Sequence, residues 1–165
     1  MSVVYDPQVY GADDAWLYHP WATFYLTAAS FKLFGISTLI ARLPYAALGL
    51  LAVGLTYALA RQVAARIGVA RWAAVSLVAC VPFFLFMRQC RYYAPSAALG
   101  LAWLLCYRRW IVGYPRSALW LVVMGALLFH TNHGVALPFG AAAALDWWIG
   151  YRRTMGWRRP LVVAL

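Results

Sequence analysis

Twelve polar or ionisable residues could carry chemistry in an otherwise apolar chain: Asp6, Asp13, Asp14, His19, Arg88, Gln89, Arg91, Tyr92, Tyr93, His130, Asn132 and His133. The adjacent carboxylates Asp13 and Asp14 are the residue types that bind a divalent cation or act as a general base. The alternative is a helix N-cap, since Gly-Ala-Asp-Asp before Ala-Trp-Leu-Tyr reads as a loop entering a helix. His19 precedes Pro20, a residue suited to a first helical turn. An imidazole there could bind metal, move a proton or pair with a phosphate; the alternative is an amphipathic side chain at an interface. In Arg88-Gln-Cys-Arg-Tyr-Tyr93, two guanidiniums stand three residues apart, a spacing that shares a face on a helix. Their planar forks suit a phosphate, and Tyr92 and Tyr93 add surfaces for a sugar ring or a lipid tail. The alternative is snorkelling arginines in an aromatic belt. His130 and His133 have a spacing that serves a metal if a third ligand comes from elsewhere; polar turn residues are the other reading.

The elements that must position these groups follow from composition. The 165 residues are 65% hydrophobic and 11% charged, yet carry a formal charge of +10. Soluble domains run nearer half apolar and a quarter charged. The hydrophobicity excludes a disordered polycation. The scarcity of polar surface excludes a soluble nucleic-acid binder, so no nucleic-acid partner is expected. Three cysteines make no disulfide framework, and Cys80, Cys90 and Cys106 read as small apolar residues. Walker, dinucleotide, nucleophile-elbow and zinc-protease motifs do not occur. An integral membrane protein with basic loops remains.

Apolar runs over residues 43–60, 72–87, 94–107, 117–129 and 135–151 are continuous rather than alternating, which favours helix over barrel strand. The expected fold is therefore all-α, a polytopic transmembrane bundle of about five spanning helices plus an interfacial helix. Several runs are short for a hydrocarbon core of roughly 30 Å; packing inside a bundle and snorkelling arginines accommodate that. Loops 61–71, 108–116 and 152–159 alternate along the chain and hold ten of the fourteen cations. The positive-inside rule assigns them to the cytoplasm. The Arg88–Tyr93 and His130–His133 turns then face outward with the acidic head. Asp146, the one acid within a run, is expected in a structural pairing near Arg152 and Arg153. No internal repeat is visible, and no broken helix of the kind transporters use is expected.

Residues 1–38 form the expected outer-face loop and interfacial helix, and residues 39–165 the transmembrane region, an incomplete part of one larger membrane domain. The opening lacks a signal-peptide pattern. Residues 21–35 read as an aromatic helix, interrupted by Lys32 and closed by Gly35, lying at the interface. Arg42-Leu-Pro44 marks the start of the first span. An outward head calls for a preceding spanning helix, and the apolar run from Arg159 to Leu165 for a following one.

Residues 19–61 resemble the first conserved block of C-type membrane glycosyltransferases, more narrowly family 39, which includes protein mannosyltransferases and lipid A aminoarabinose transferases. Lys32-Leu-Phe-Gly35, Ala41-Arg-Leu-Pro44 and Tyr57-Ala-Leu-Ala-Arg61 carry the resemblance. Arg88 to Tyr93 is similar to the block after the third spanning helix, and His130 to Gly134 to a later His-containing turn. The resemblance covers roughly residues 15–150. Trp21 stands where the second proline of a Pro-Pro pair is usual, and Tyr93 where some members carry an acid.

The resemblance implies transfer of a sugar from a polyprenyl-phosphate donor to a lipid, glycan or protein acceptor on the outer face of the inner membrane. It implies an essential acid in the first outer loop, usually at the end of a first spanning helix that precedes the residues seen here; Asp13 and Asp14 are the candidates, the alternative being an acid upstream of them. Some members use a divalent cation; His130 and His133 are the metal candidates that residue spacing offers. His19, Arg88, Arg91, Tyr92 and Tyr93 are expected to bind the lipid-phosphate among membrane lipids. The other reading is a non-catalytic multi-pass transporter or lipid-binding subunit.

Overall fold

The computed structural model describes residues 21–151; Asp6, Asp13, Asp14, His19, Arg152 and Arg153 lie outside the described residues. Within them the fold is all-α, with 88% of residues helical and no strand. The helices are α1 (Ala22–Phe34), α2 (Thr38–Ala64), α3 (Ile67–Ala79), α4 (Val81–Met87), α5 (Tyr93–Val112), α6 (Arg116–Thr131) and α7 (His133–Asp146), which runs into a π-helical turn, Trp147–Tyr151.

Each helix boundary has a local cause. Gly35, at φ 85°, ends α1 as the sequence predicts. Ser37 then caps α2, its side chain accepting from the Ile40 N–H at 3.2 Å. The helix therefore begins six residues before Pro44, which sits inside α2 instead of marking its start. Gly113, at φ 106°, ends α5, and Tyr114 N–H reaches back to the Arg109 carbonyl. The run over residues 72–87 is not one helix. Cys80 is extended, and Pro82 cannot donate to a preceding turn. α3 and α4 consequently meet at a bend of 66°, a broken helix the sequence reading did not expect.

Length and composition set which helices could cross a membrane. α2 is 27 residues long and apolar enough to span; the bent pair α3 and α4 reaches that standard only together. α5 has 20 residues, but Arg108 and Arg109 occupy its last turns. α6 and α7, with 16 and 14 residues, are about 24 and 21 Å long.

α5 is the central helix and packs against α2, α4, α6 and α7. Two buried clusters hold the bundle. At one end Tyr45, Met87 and Ala94 pack together. Tyr45 is fully buried, and its hydroxyl donates to the Thr23 carbonyl at 2.9 Å and lies 2.8 Å from Thr27 Oγ1. That contact fastens α1 to α2. Towards the other end, Trp103, Tyr107, Trp110, Ala118 and Leu121 form a second core. Trp103 and Tyr107 stack with centroids 5.7 Å apart.

Close approach depends on glycine at Gly49, where an added Cβ would fall 2.9 Å from Met87 Cβ on α4. Gly54, on the same helix, has nothing within 4 Å of such a Cβ. Gly49→Ala is therefore expected to cost about 1–3 kcal/mol by overpacking, whereas Gly54→Ala should gain up to about 1 kcal/mol from helix propensity. Unfolding in detergent checks the pair; equal effects of the two substitutions would refute the contact.

Candidate functional site

Contacts fix which functional groups share an end. Tyr45 meets Ala94 early in α2 and α5, while Leu59 and Val63 line one cleft with Tyr107 and Arg108 later in the same helices. α2 and α5 thus run in the same direction. α7 runs with them, since Gly100 faces Phe139 and Tyr107 reaches Ala143. α6 runs against them, with Gly125 beside Trp103. One end therefore gathers the start of α2, the Arg88–Tyr92 turn, the start of α5, His130 and His133. The opposite end gathers Gln62, Arg108, Arg109 and Arg116, which line a single cleft. The segregation of polar groups read from the sequence holds for these residues.

The Arg88–Tyr92 segment is not helical. Arg88 caps α4, and helix resumes at Tyr93. The shared helix face expected of Arg88 and Arg91 is corrected: the two arginines sit in a turn, because the break at Cys80 leaves α4 only seven residues long. Cys90 in this turn lies 3.3 Å from the Ala41 carbonyl, linking it to α2. The Arg88 guanidinium lies 5.4 Å from the Phe84 ring centroid, within cation–π range. Among the described residues Arg88 is also the only charged one lining an apolar cleft of about 210 Å³ formed by α2, α3 and α4, with Leu50, Val53, Val78 and Phe84 among its walls. Periodicity could not have found this cleft, because the 66° bend creates it.

Tyr92 and Tyr93 continue the aromatic surface. Their ring centroids are 4.6 Å apart, and Phe86 lies 4.7 Å beyond Tyr93. Tyr93 packs against the Tyr45 cluster, so its ring has a packing role beside any binding role. The hydrogen bond to Tyr93, followed by burial, raises the Tyr92 phenol above its ordinary value.

His130 lies in the last turn of α6 and His133 begins α7, separated by Thr131 and extended backbone at Asn132. Both are exposed and both lie against the Phe129 ring, with centroids 6.0 and 6.4 Å away. No group of three His, Cys, Asp or Glu residues occurs among the described residues. The two histidines alone do not make a metal site.

The sequence places Asp146 in a structural pairing near Arg152 and Arg153, which lie outside the described residues. Its carboxylate accepts from the Tyr107 hydroxyl at 2.8 Å, and Ala143 O lies 3.0 Å from that hydroxyl. A Tyr preceding Arg108-Arg109 carried no signal of that partnership.

No protein-family model, curated protein or solved structure matches the chain.

The raised Tyr92 value has a definite sign. Its stabilising effect is present below the ordinary tyrosine value of 10.0 and is lost as pH rises through the raised folded value. Tyr93→Phe removes the partner, and the Tyr92 titration is expected to move down. NMR of ring-labelled tyrosine reads it; an unmoved titration would contradict the hydrogen bond.

Proposed function

We propose that the protein is a polytopic membrane glycosyltransferase that moves a sugar from a polyprenyl-phosphate donor to an acceptor at the outer face of the inner membrane. The observation that carries this reading is the apolar cleft between α2, α3 and α4 with Arg88 in its wall and the Arg91–Tyr93 turn beside it. An apolar trough meeting a guanidinium matches an isoprenoid tail ending in a phosphate. The motif resemblance supports the same chemistry. Exposed apolar side chains support a lipid environment: Leu39 is 74%, Leu50 73%, Trp72 71% and Leu119 67% exposed, more than water-facing helices ordinarily tolerate.

In this reading Arg88 and Arg91 hold the donor phosphate. Asp13 or Asp14 removes the proton from the acceptor nucleophile. The nucleophile attacks the anomeric carbon, the bond to phosphate breaks, and arginine stabilises the charge on the departing phosphate. His19, Tyr92 and Tyr93 flank the sugar and phosphate. The divalent cation used by some family members has no complete ligand set among the described residues, and no step is assigned to it.

One observation favours a second reading. The break at Cys80 is a discontinuous helix, a feature of transporters, and fits a non-catalytic transporter or lipid-binding subunit.

Arg88→Ala and Arg91→Ala are each expected to weaken polyprenyl-phosphate binding about tenfold, as loss of a charge-assisted hydrogen bond does. Asp13→Asn or Asp14→Asn should abolish sugar transfer while leaving binding intact. Unchanged binding in the arginine variants removes their role. Substrate flux without sugar transfer, measured in proteoliposomes, selects the second reading.

A further inference from the structure

The end of the bundle opposite Arg88 has its own pair of cavities. One, of about 530 Å³, is lined by Gln62, Arg108, Arg109, Tyr114 and Arg116. The other, of about 610 Å³, lies between α2, α5 and α7, with Leu59, Val63, Trp103, Pro138 and Phe139 in its walls. Both volumes fall in the usual range for ligand pockets. Arg108 lines both, so a basic compartment adjoins an apolar one at a single side chain. The Arg108 Nε is buried and has no hydrogen-bond partner among the described residues. Burying such a donor is costly unless something accepts from it.

We propose that this end binds one anionic phospholipid, its phosphate held by Arg108, Arg109 and Arg116 and an acyl chain lying along Leu59, Val63, Trp103 and Phe139. Three cations line the head compartment. Asp146 is the opposing charge in the tail cleft, and there the Tyr107 hydroxyl donates to it. A neutral headgroup would leave the arginines uncompensated. A soluble anion would leave the aromatic cleft unfilled. Basic pockets between membrane helices recognise anionic headgroups by this combination. The site is remote from Arg88, so it stands or falls independently of the glycosyltransferase reading.

Native mass spectrometry of the full chain in detergent, titrated with phosphatidylglycerol or phosphatidylcholine, tests the proposal. Phosphatidylglycerol should bind more tightly. Arg108→Ala should weaken it about fivefold, Arg108→Lys should retain most of it, and Arg71→Ala, removing an exposed cation outside both cavities, should change nothing. Ala142→Phe, which narrows the tail cleft, should also release the lipid and keeps the test decisive if Arg108→Ala fails to fold. Equal binding of the two lipids overturns the proposal, as does an Arg108→Ala protein that binds like the wild type. Displacement of phosphatidylglycerol by millimolar inorganic phosphate, with Ala142→Phe without effect, would reduce the site to a phosphate site and overturn the lipid assignment.

Discussion

The buried face of α5 is the constraint on which the rest of the bundle depends. It begins with small side chains, Ala94, Ser96, Ala98 and Gly100, and ends with large ones, Trp103, Tyr107 and Trp110. Small residues let neighbouring backbones approach closely, the usual basis of helix association in lipid. Large aromatic rings hold backbones apart and fill the space with stacked surface. A single helix thus presents small side chains to its neighbours at one end and large rings at the other. The compact Tyr45–Met87–Ala94 cluster and the broad Trp103–Tyr107–Trp110 cluster are its two consequences.

The cavities follow the same division of α5. Trp103, Tyr107 and Arg108 line one of the two larger ones, and Arg108, Arg109 and Val112 line the other. The smaller one beside Arg88 has a different origin. Cys80 adopts extended backbone before Val81-Pro82, and α4 turns away from the line of α3. The side chains of Val53 and Val78 then face an open trough rather than a filled groove. Both kinds of cavity pair apolar walls with arginine, and each arginine sits near a helix end, where the charge is least costly to desolvate.

Much of this was legible in the residues. Every expected apolar run falls on helix except at Cys80 within 72–87, and Gly35 ends α1 with the positive φ its type allows. The two described basic loops lie at one end because α2 and α5, which lead into them, run in the same direction. Other features could not be read. Pro44 looks like a helix start in isolation, but Ser37 offers a better cap and the helix begins there. Arg88 and Arg91 have helical spacing without helical backbone, since periodicity carries no signal of the helix break at Cys80, eight residues before Arg88. Tyr107 reaches Asp146 across 39 positions of sequence, and only packing of α5 on α7 reveals it.

Composition and order alone determined the helical class, the apolar character and the separation of basic loops from the Arg88 and His130 turns. Those are properties of local spacing and of which residues tolerate burial. The tertiary structure alone decided which arginines meet a cavity. Arg88, Arg108, Arg109 and Arg116 line clefts, whereas Arg71 is exposed and lines none of them. The sequence sets Arg88 apart from the basic loops, but loop charge does not distinguish Arg71 from Arg108, Arg109 and Arg116. The bend at Cys80 and the packing of α5 against α2, α6 and α7 separate them, because a cleft arises from how helices pack and no single segment encodes that packing.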